Sequence, residues 1–145
     1  MEKGEISREL DFPIMFNKIT RNFNKKLGDF LMPYGLSKLH SLYLVCLYRH
    51  KKGLTLNQLN FLTGFDKANT SRAISDLEEK EITYRILGAG EKKYKVSLTE
   101  KGFSICKDFV KSIKESIKKT FASLTEKEMN FFQSIIFKLM NEEAI

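Results

Sequence analysis

Residues 66–98 read DKANTSRAISDLEEKEITYRILGAGEKKYKVSL, and their periodicity predicts a helix, a tight turn and a hairpin with a cationic tip. Asp66 offers a carboxylate to the free amides of a first helical turn. Thr70, Ile74 and Leu77 follow at i, i+4 and i+7 as an inward stripe. Lys67, Asn69, Ser71, Arg72 and Ser75 are thereby left on the opposite face. Hydroxyls, an amide and a guanidinium are side chains that enter a major groove and touch base edges while the backbone stays close to the duplex. In that setting Arg72 is expected on guanine and Asn69 on adenine, each pair giving about 1–3 kcal/mol of discrimination if bidentate. Asp76, Glu78, Glu79 and Glu81 gather towards the other end of the helix. Its N-terminal turns, with the positive end of the dipole, are then free to face phosphate.

Past that helix, Ile82, Tyr84 and Ile86 alternate with Thr83 and Arg85, while Tyr94, Val96 and Leu98 alternate with Lys93, Lys95 and Ser97. Period two on both sides of Gly88-Ala89-Gly90 predicts two strands joined at a glycine-containing break. A helix followed at once by a basic two-stranded ribbon is the order of a winged helix-turn-helix. Arg85, Lys92, Lys93 and Lys95 are the candidate wing contacts to phosphate. For both groups the plain alternative is a solvated polar surface. The basic hairpin directly after the helix favours nucleic acid over it.

Upstream, Thr55 and Gln58 form a capping box that starts a short helix with Leu56, Leu59 and Leu62 inward and Gly64 as its stop. Before it, Ser37 caps a helix over about 38–50 whose Leu39, Leu42, Tyr43, Leu44, Val45, Cys46 and Leu47 are apolar nearly all round, which places it mid-core. From Ser7 to Leu31, Phe12, Met15, Phe16, Ile19, Phe23, Leu27 and Phe30 recur at threes and fours. Pro13 reads there as a first-turn residue of the main helix, with residues 6–12 as a separate arm. Downstream, Thr99-Glu100 opens a fifth helix carrying Phe103, Ile105, Cys106, Phe109, Val110, Ile113 and Ile117. A second capping box, Thr125 to Glu128, opens a sixth with Phe131, Phe132, Ile135, Ile136, Leu139 and Met140. The expected fold is mainly α with a small β-hairpin, one domain over 1–145. Its winged lobe spans 36–98, flanked by terminal helical segments 1–34 and 99–145. Those segments carry more apolar surface than one small lobe hides, so a homodimer built from both chain ends is expected. The alternative is that they cover the monomer's own core.

At 145 residues and 42% hydrophobic, the chain can bury a core without disulfides or metals. Its longest unbroken apolar run, Leu42 to Tyr48, is far too short to cross a bilayer, and MEKGEISREL at the start is charged rather than signal-like. A cytoplasmic protein is expected. Net charge is +7, which suits an anionic partner, although lysine-rich surfaces also serve solubility alone. Double-stranded DNA is preferred to a membrane, because the basic residues are spread over helix faces and a hairpin tip rather than gathered on one amphipathic anchor. Cys46 and Cys106 sit in apolar surroundings and read as buried, reduced thiols. His40 and His50 have no cysteine close in sequence, so neither metal nor cofactor is expected. No glycine-rich phosphate loop, activated serine or carboxylate pair is recognisable, which argues against an enzyme.

These residues resemble the MarR (multiple antibiotic resistance regulator) family over nearly the whole chain. The resemblance is carried by Asp66 to Arg72, Ile74, Leu77 to Lys80, Ile82 and Arg85, and by Gly35-Leu36-Ser37. Val96 to Thr99 with Gly102 matches the family's Leu-Thr-x-x-Gly. It implies a homodimeric transcriptional regulator, a repressor by family habit, with two winged lobes on a pseudo-palindromic operator. It also implies a pocket for a small aromatic effector between lobes and terminal helices. His40, near that pocket, is the candidate to hold an effector carboxylate, a structural histidine near a cap being the alternative. Two positions depart from the pattern. Glu81 stands where the family has glycine, so a differently wound turn is expected. Gly90-Glu91-Lys92 stands where an Asp-x-Arg pair is common, and lysine lacks the planar fork, so Lys92 is expected on the DNA backbone rather than in the minor groove. The peroxide-sensing branch places a cysteine near the start of the first helix, and residues 12–16 contain none. Two other readings compete: a winged-helix protein–protein interaction module, and a nonspecific DNA-binding protein.

Overall fold

The computed structural model describes residues 8–88 and 93–142. In chain order it has α1 (Arg8–Leu31), a short 3-10 turn (Met32–Tyr34), α2 (Lys38–Arg49), α3 (Leu56–Thr63), α4 (Lys67–Glu79), β1 (Thr83–Leu87), β2 (Tyr94–Leu98), α5 (Glu100–Thr120) and α6 (Glu126–Glu142). Polar side chains start most of these helices, as their spacing foretells. Thr55 Oγ1 accepts from the Gln58 N–H at 3.2 Å while Gln58 Oε1 accepts from the Thr55 N–H at 2.9 Å. Asp66 Oδ1 accepts from the Asn69 N–H at 2.7 Å, Thr99 Oγ1 from the Gly102 N–H at 3.0 Å, and Thr125 and Glu128 close a second capping box. Each cap satisfies amides that have no partner within the helix.

α2 lies at the centre and packs against α1, α3, α4, α5 and β2. Tyr43, Leu44 and Leu47 on α2 meet Leu31, Leu59, Ile74, Leu77, Val96 and Phe109 in one buried cluster. Val96 also ties the hairpin to the chain before α3: its N–H donates to the Leu54 carbonyl at 2.7 Å, and the Leu54 N–H donates back at 2.9 Å.

Gly102 is required by a close approach. A Cβ there would stand 2.0 Å from the Ile82 carbonyl oxygen, and that same oxygen accepts from the Thr99 N–H and hydroxyl at 3.0 and 3.2 Å. The Leu-Thr-x-x-Gly stretch is therefore a junction in which one carbonyl of the α4–β1 turn is clasped by the start of α5.

Three expectations are corrected, and the register of the hairpin decides which of its faces is inward. α1 runs unbroken from Arg8 through Pro13, with no separate arm. A proline in the second turn forgoes one ladder bond near a helix end, where the first turn has room to open around the ring. Leu62 is 47% exposed rather than inward, because α3 is short and only Leu59 reaches the cluster fully. β1 and β2 pair antiparallel with Thr83 opposite Leu98 and Arg85 opposite Val96, so Thr83 and Arg85 share the face of Val96 while Tyr84 lies 47% exposed on the other. Finally, the turn after α4 has the left-handed residue that glycine would supply: Glu81 itself takes φ 58°. The Ile82 N–H reaches the Leu77 carbonyl and the Glu81 N–H reaches the Glu78 carbonyl, both at 2.9 Å, as in a Schellman closure.

Candidate nucleic-acid interface

α4 is held from inside. Thr70, Ala73, Ile74 and Leu77 are buried, and the Thr70 hydroxyl meets the Tyr43 hydroxyl at 3.0 Å. This fixes the helix's rotation and turns Lys67, Ser71, Arg72 and Ser75 to solvent, with Asn69 half-buried at the edge of the same face. Ala68, which periodicity did not single out, is exposed in the middle of it. A methyl there keeps the centre of the face low, so the flanking longer side chains can reach past it.

Two of these side chains are linked to each other and to the N-cap residue. Asp66 Oδ2 accepts from Asn69 Nδ2 at 3.1 Å, and Asn69 Oδ1 accepts from Arg72 Nη2 at 3.0 Å. At the far end of the helix, Glu78 Oε1 accepts from Arg85 Nε at 2.9 Å, a bond that raises the guanidinium's pKa further. The Arg85 guanidinium also stacks on Tyr94, 4.3 Å from the ring centroid. Arg85 thus ties the hairpin to α4 instead of standing free. Glu78 and Tyr94, its two holders, escaped sequence reading because neither pairing follows a helical or strand period. Lys93 and Lys95 are exposed on the hairpin, and Lys92 lies outside the described residues.

His40 is buried. Its Nδ1 accepts from the Ser37 N–H at 3.0 Å, which leaves the proton on Nε2 to donate to Asp76 Oδ2 at 3.1 Å. Both nitrogens are engaged within the chain, and the carboxylate His40 meets is that of α4, so it braces α4 against the start of α2. Cys106 is fully buried with its thiol pushed up to about 12 by desolvation, and burial raises Cys46 as well. Neither thiol has the low-pKa setting of a reactive one. Among the described residues no group of histidine, cysteine and carboxylate side chains could hold a metal, and no helix is long and apolar enough to cross a membrane.

No family model matches the sequence, and no curated protein is similar to it. Solved structures are. A MarR-family transcriptional regulator from Silicibacter pomeroyi superimposes with a TM-score of 0.82 at 22% identity, covering 98% of this chain and 96% of that one. A MarR transcriptional regulator from Methanosarcina mazei Go1 gives 0.80 at 25% identity, covering 98% and 94%. The chain has the fold of the MarR family. A third MarR-fold protein, from Listeria monocytogenes and solved in complex with a 26mer DNA, gives 0.83 at 22% identity, covering 89% of this chain and 86% of that one. In MarR-fold terms, α3 and α4 are the helix-turn-helix, β1 and β2 the wing, and α1, α5 and α6 the flanking helices.

Proposed function

We propose that the chain is a sequence-specific transcriptional regulator that binds double-stranded DNA as a homodimer, α4 of each protomer entering a major groove. The observation that carries this reading is the division of α4. A buried, hydrogen-bonded inner arc holds the outer arc of Lys67, Ala68, Ser71, Arg72 and Ser75 towards solvent. The DNA-bound Listeria structure of the same fold and the net charge of +7 support it. Lys92, Lys93 and Lys95 are assigned to phosphate.

The dimer rests on unpartnered apolar surface at both ends of the chain: Phe12 is 56% exposed, Phe131 69%, Phe137 66% and Met140 65%. Rows of this kind call for a core-like interface. Twofold symmetry then matches the two reading helices to a pseudo-palindromic operator, and a dimer seated over a promoter represses by occupancy in the cytoplasm. A cleft between α1 and the start of α2, lined by Lys18, Arg21, Lys25 and Lys38 beside Met32 and Leu36, suits a small aromatic acid as effector.

Binding to a selected duplex and to random duplex across a salt series tests this. Binding falls steeply with salt; Lys95→Ala weakens both duplexes alike and lowers the salt slope by about 0.9. Arg72→Ala relaxes the preference. Equal loss on both duplexes for Arg72→Ala contradicts base readout.

A further inference from the structure

The exposed side of α4 carries a chain of three side chains at i, i+3 and i+6: Asp66, Asn69 and Arg72. Asp66 caps the helix with one carboxylate oxygen and takes the Asn69 amide NH2 with the other. The Asn69 carbonyl takes the Arg72 guanidinium. The neighbours fix this orientation. Reversing the amide would set its carbonyl against the carboxylate and its NH2 against the guanidinium, two repulsive contacts in place of two attractive ones. Taking α4 as the DNA-reading helix, we infer that Asn69 is a positioning residue that aims Arg72 at a guanine, with Asp66 as its anchor.

Reading adenine bidentately needs both ends of an asparagine amide. Each end of the Asn69 amide already holds one charged partner, a carboxylate on its NH2 and a guanidinium on its carbonyl, the stronger class of hydrogen bond. Those two bonds set the direction in which its one remaining N–H and one remaining lone pair can point. Arg72 keeps more donors free. A guanidinium has five N–H donors and the bond to Asn69 uses one of them, so a fork for guanine O6 and N7 remains. An unrestrained surface arginine gives up rotamer freedom when it docks, whereas Arg72 has given up part of it before DNA arrives. Asn69 therefore acts through Arg72, on the same base pair.

The test starts from a duplex preferred by the wild-type protein and substitutes its base pairs one at a time. Binding is measured for the wild type, Arg72→Ala, Asn69→Ala, the double variant and Asn69→Asp. Arg72→Ala is expected to lose roughly tenfold discrimination at one G·C pair. Asn69→Ala loses a smaller factor at that same pair, and the double variant loses no more than Arg72→Ala alone. Asn69→Asp keeps an acceptor for Arg72 but sets a second carboxylate against Asp66, so it keeps more of the guanine preference than Asn69→Ala and less than the wild type, with weaker binding to every duplex from the added negative charge. Loss at an A·T pair with the G·C preference intact in Asn69→Ala would overturn the inference, as would additive losses in the double variant. A wild-type protein without preference at any base pair overturns the groove-reading proposal itself, and this inference with it.

Discussion

Replacing Glu81 by glycine is expected to stabilise the protein. Glu81 sits just past the end of α4 at φ 58°, in the left-handed region where a Cβ crowds the following carbonyl. That conformation costs an L-residue about 1–2 kcal/mol, which glycine does not incur. A carboxylate at the negative end of the helix dipole adds roughly 0.3 kcal/mol of repulsion, also relieved. Against this, glycine gives the unfolded chain more freedom, about 0.4–1 kcal/mol in the opposite direction. The backbone bonds of the turn survive the change: the Ile82 and Glu81 N–H groups still close on Leu77 and Glu78, and the Glu81 carbonyl still accepts from the Thr99 hydroxyl at 2.7 Å. The net gain is therefore about 1 kcal/mol, or about 4 °C in thermal midpoint for a chain of this size. Denaturant unfolding at fixed protein concentration measures it, with Glu81→Gln as control. Glutamine removes the charge but keeps the Cβ, and should recover only the roughly 0.3 kcal/mol dipole part. A glycine variant no more stable than wild type, or a glutamine variant that gains as much, would refute the reasoning.

Gly102→Ala should destabilise by about 3 kcal/mol or more in the same assay, because its Cβ meets the backbone oxygen of Ile82 at 2.0 Å and a backbone cannot swing aside as a side chain can. Cys106 adds a pH dependence. Below its ordinary value of 9.0 the thiol is protonated whether the chain is folded or unfolded. From there to about 12 only the unfolded chain ionises, so stability falls as pH rises, and Cys106→Ala should show a flatter loss over pH 9–11. Phe131→Lys with Phe137→Lys should shift the protein to monomer in sedimentation at micromolar concentration, since both rings lie on the exposed apolar surface of α6.

The helices were legible because their signals are local. Asp66, Thr55 and Thr125 announce starts within four residues, and the stripe of Thr70, Ile74 and Leu77 needs no knowledge of what it packs against. The outward residues of α4 followed from that stripe alone. What was not legible depends on pairing across the chain. β1 alternates convincingly, yet its inner face is set by its register against β2, and that register puts Thr83 and Arg85 beside Val96. The bond between Arg85 and Glu78 is hidden in the same way, because Glu78 lies seven residues away across a turn. The chemistry of Asn69 is plain in the sequence, but its bonds to Asp66 and Arg72 are not, since they depend on the rotamers of three exposed side chains. Glu81 kept a turn in which residue type alone predicted a change, since three clasped carbonyls there outweigh one strained φ.

The central claim is that α4 selects sequence, and the ratio of affinities for a selected duplex and a random competitor, at one physiological salt concentration, tests it most directly. The account predicts a ratio of about 10³ or more, with two chains bound per selected duplex. A ratio near one contradicts it, however tightly the protein binds.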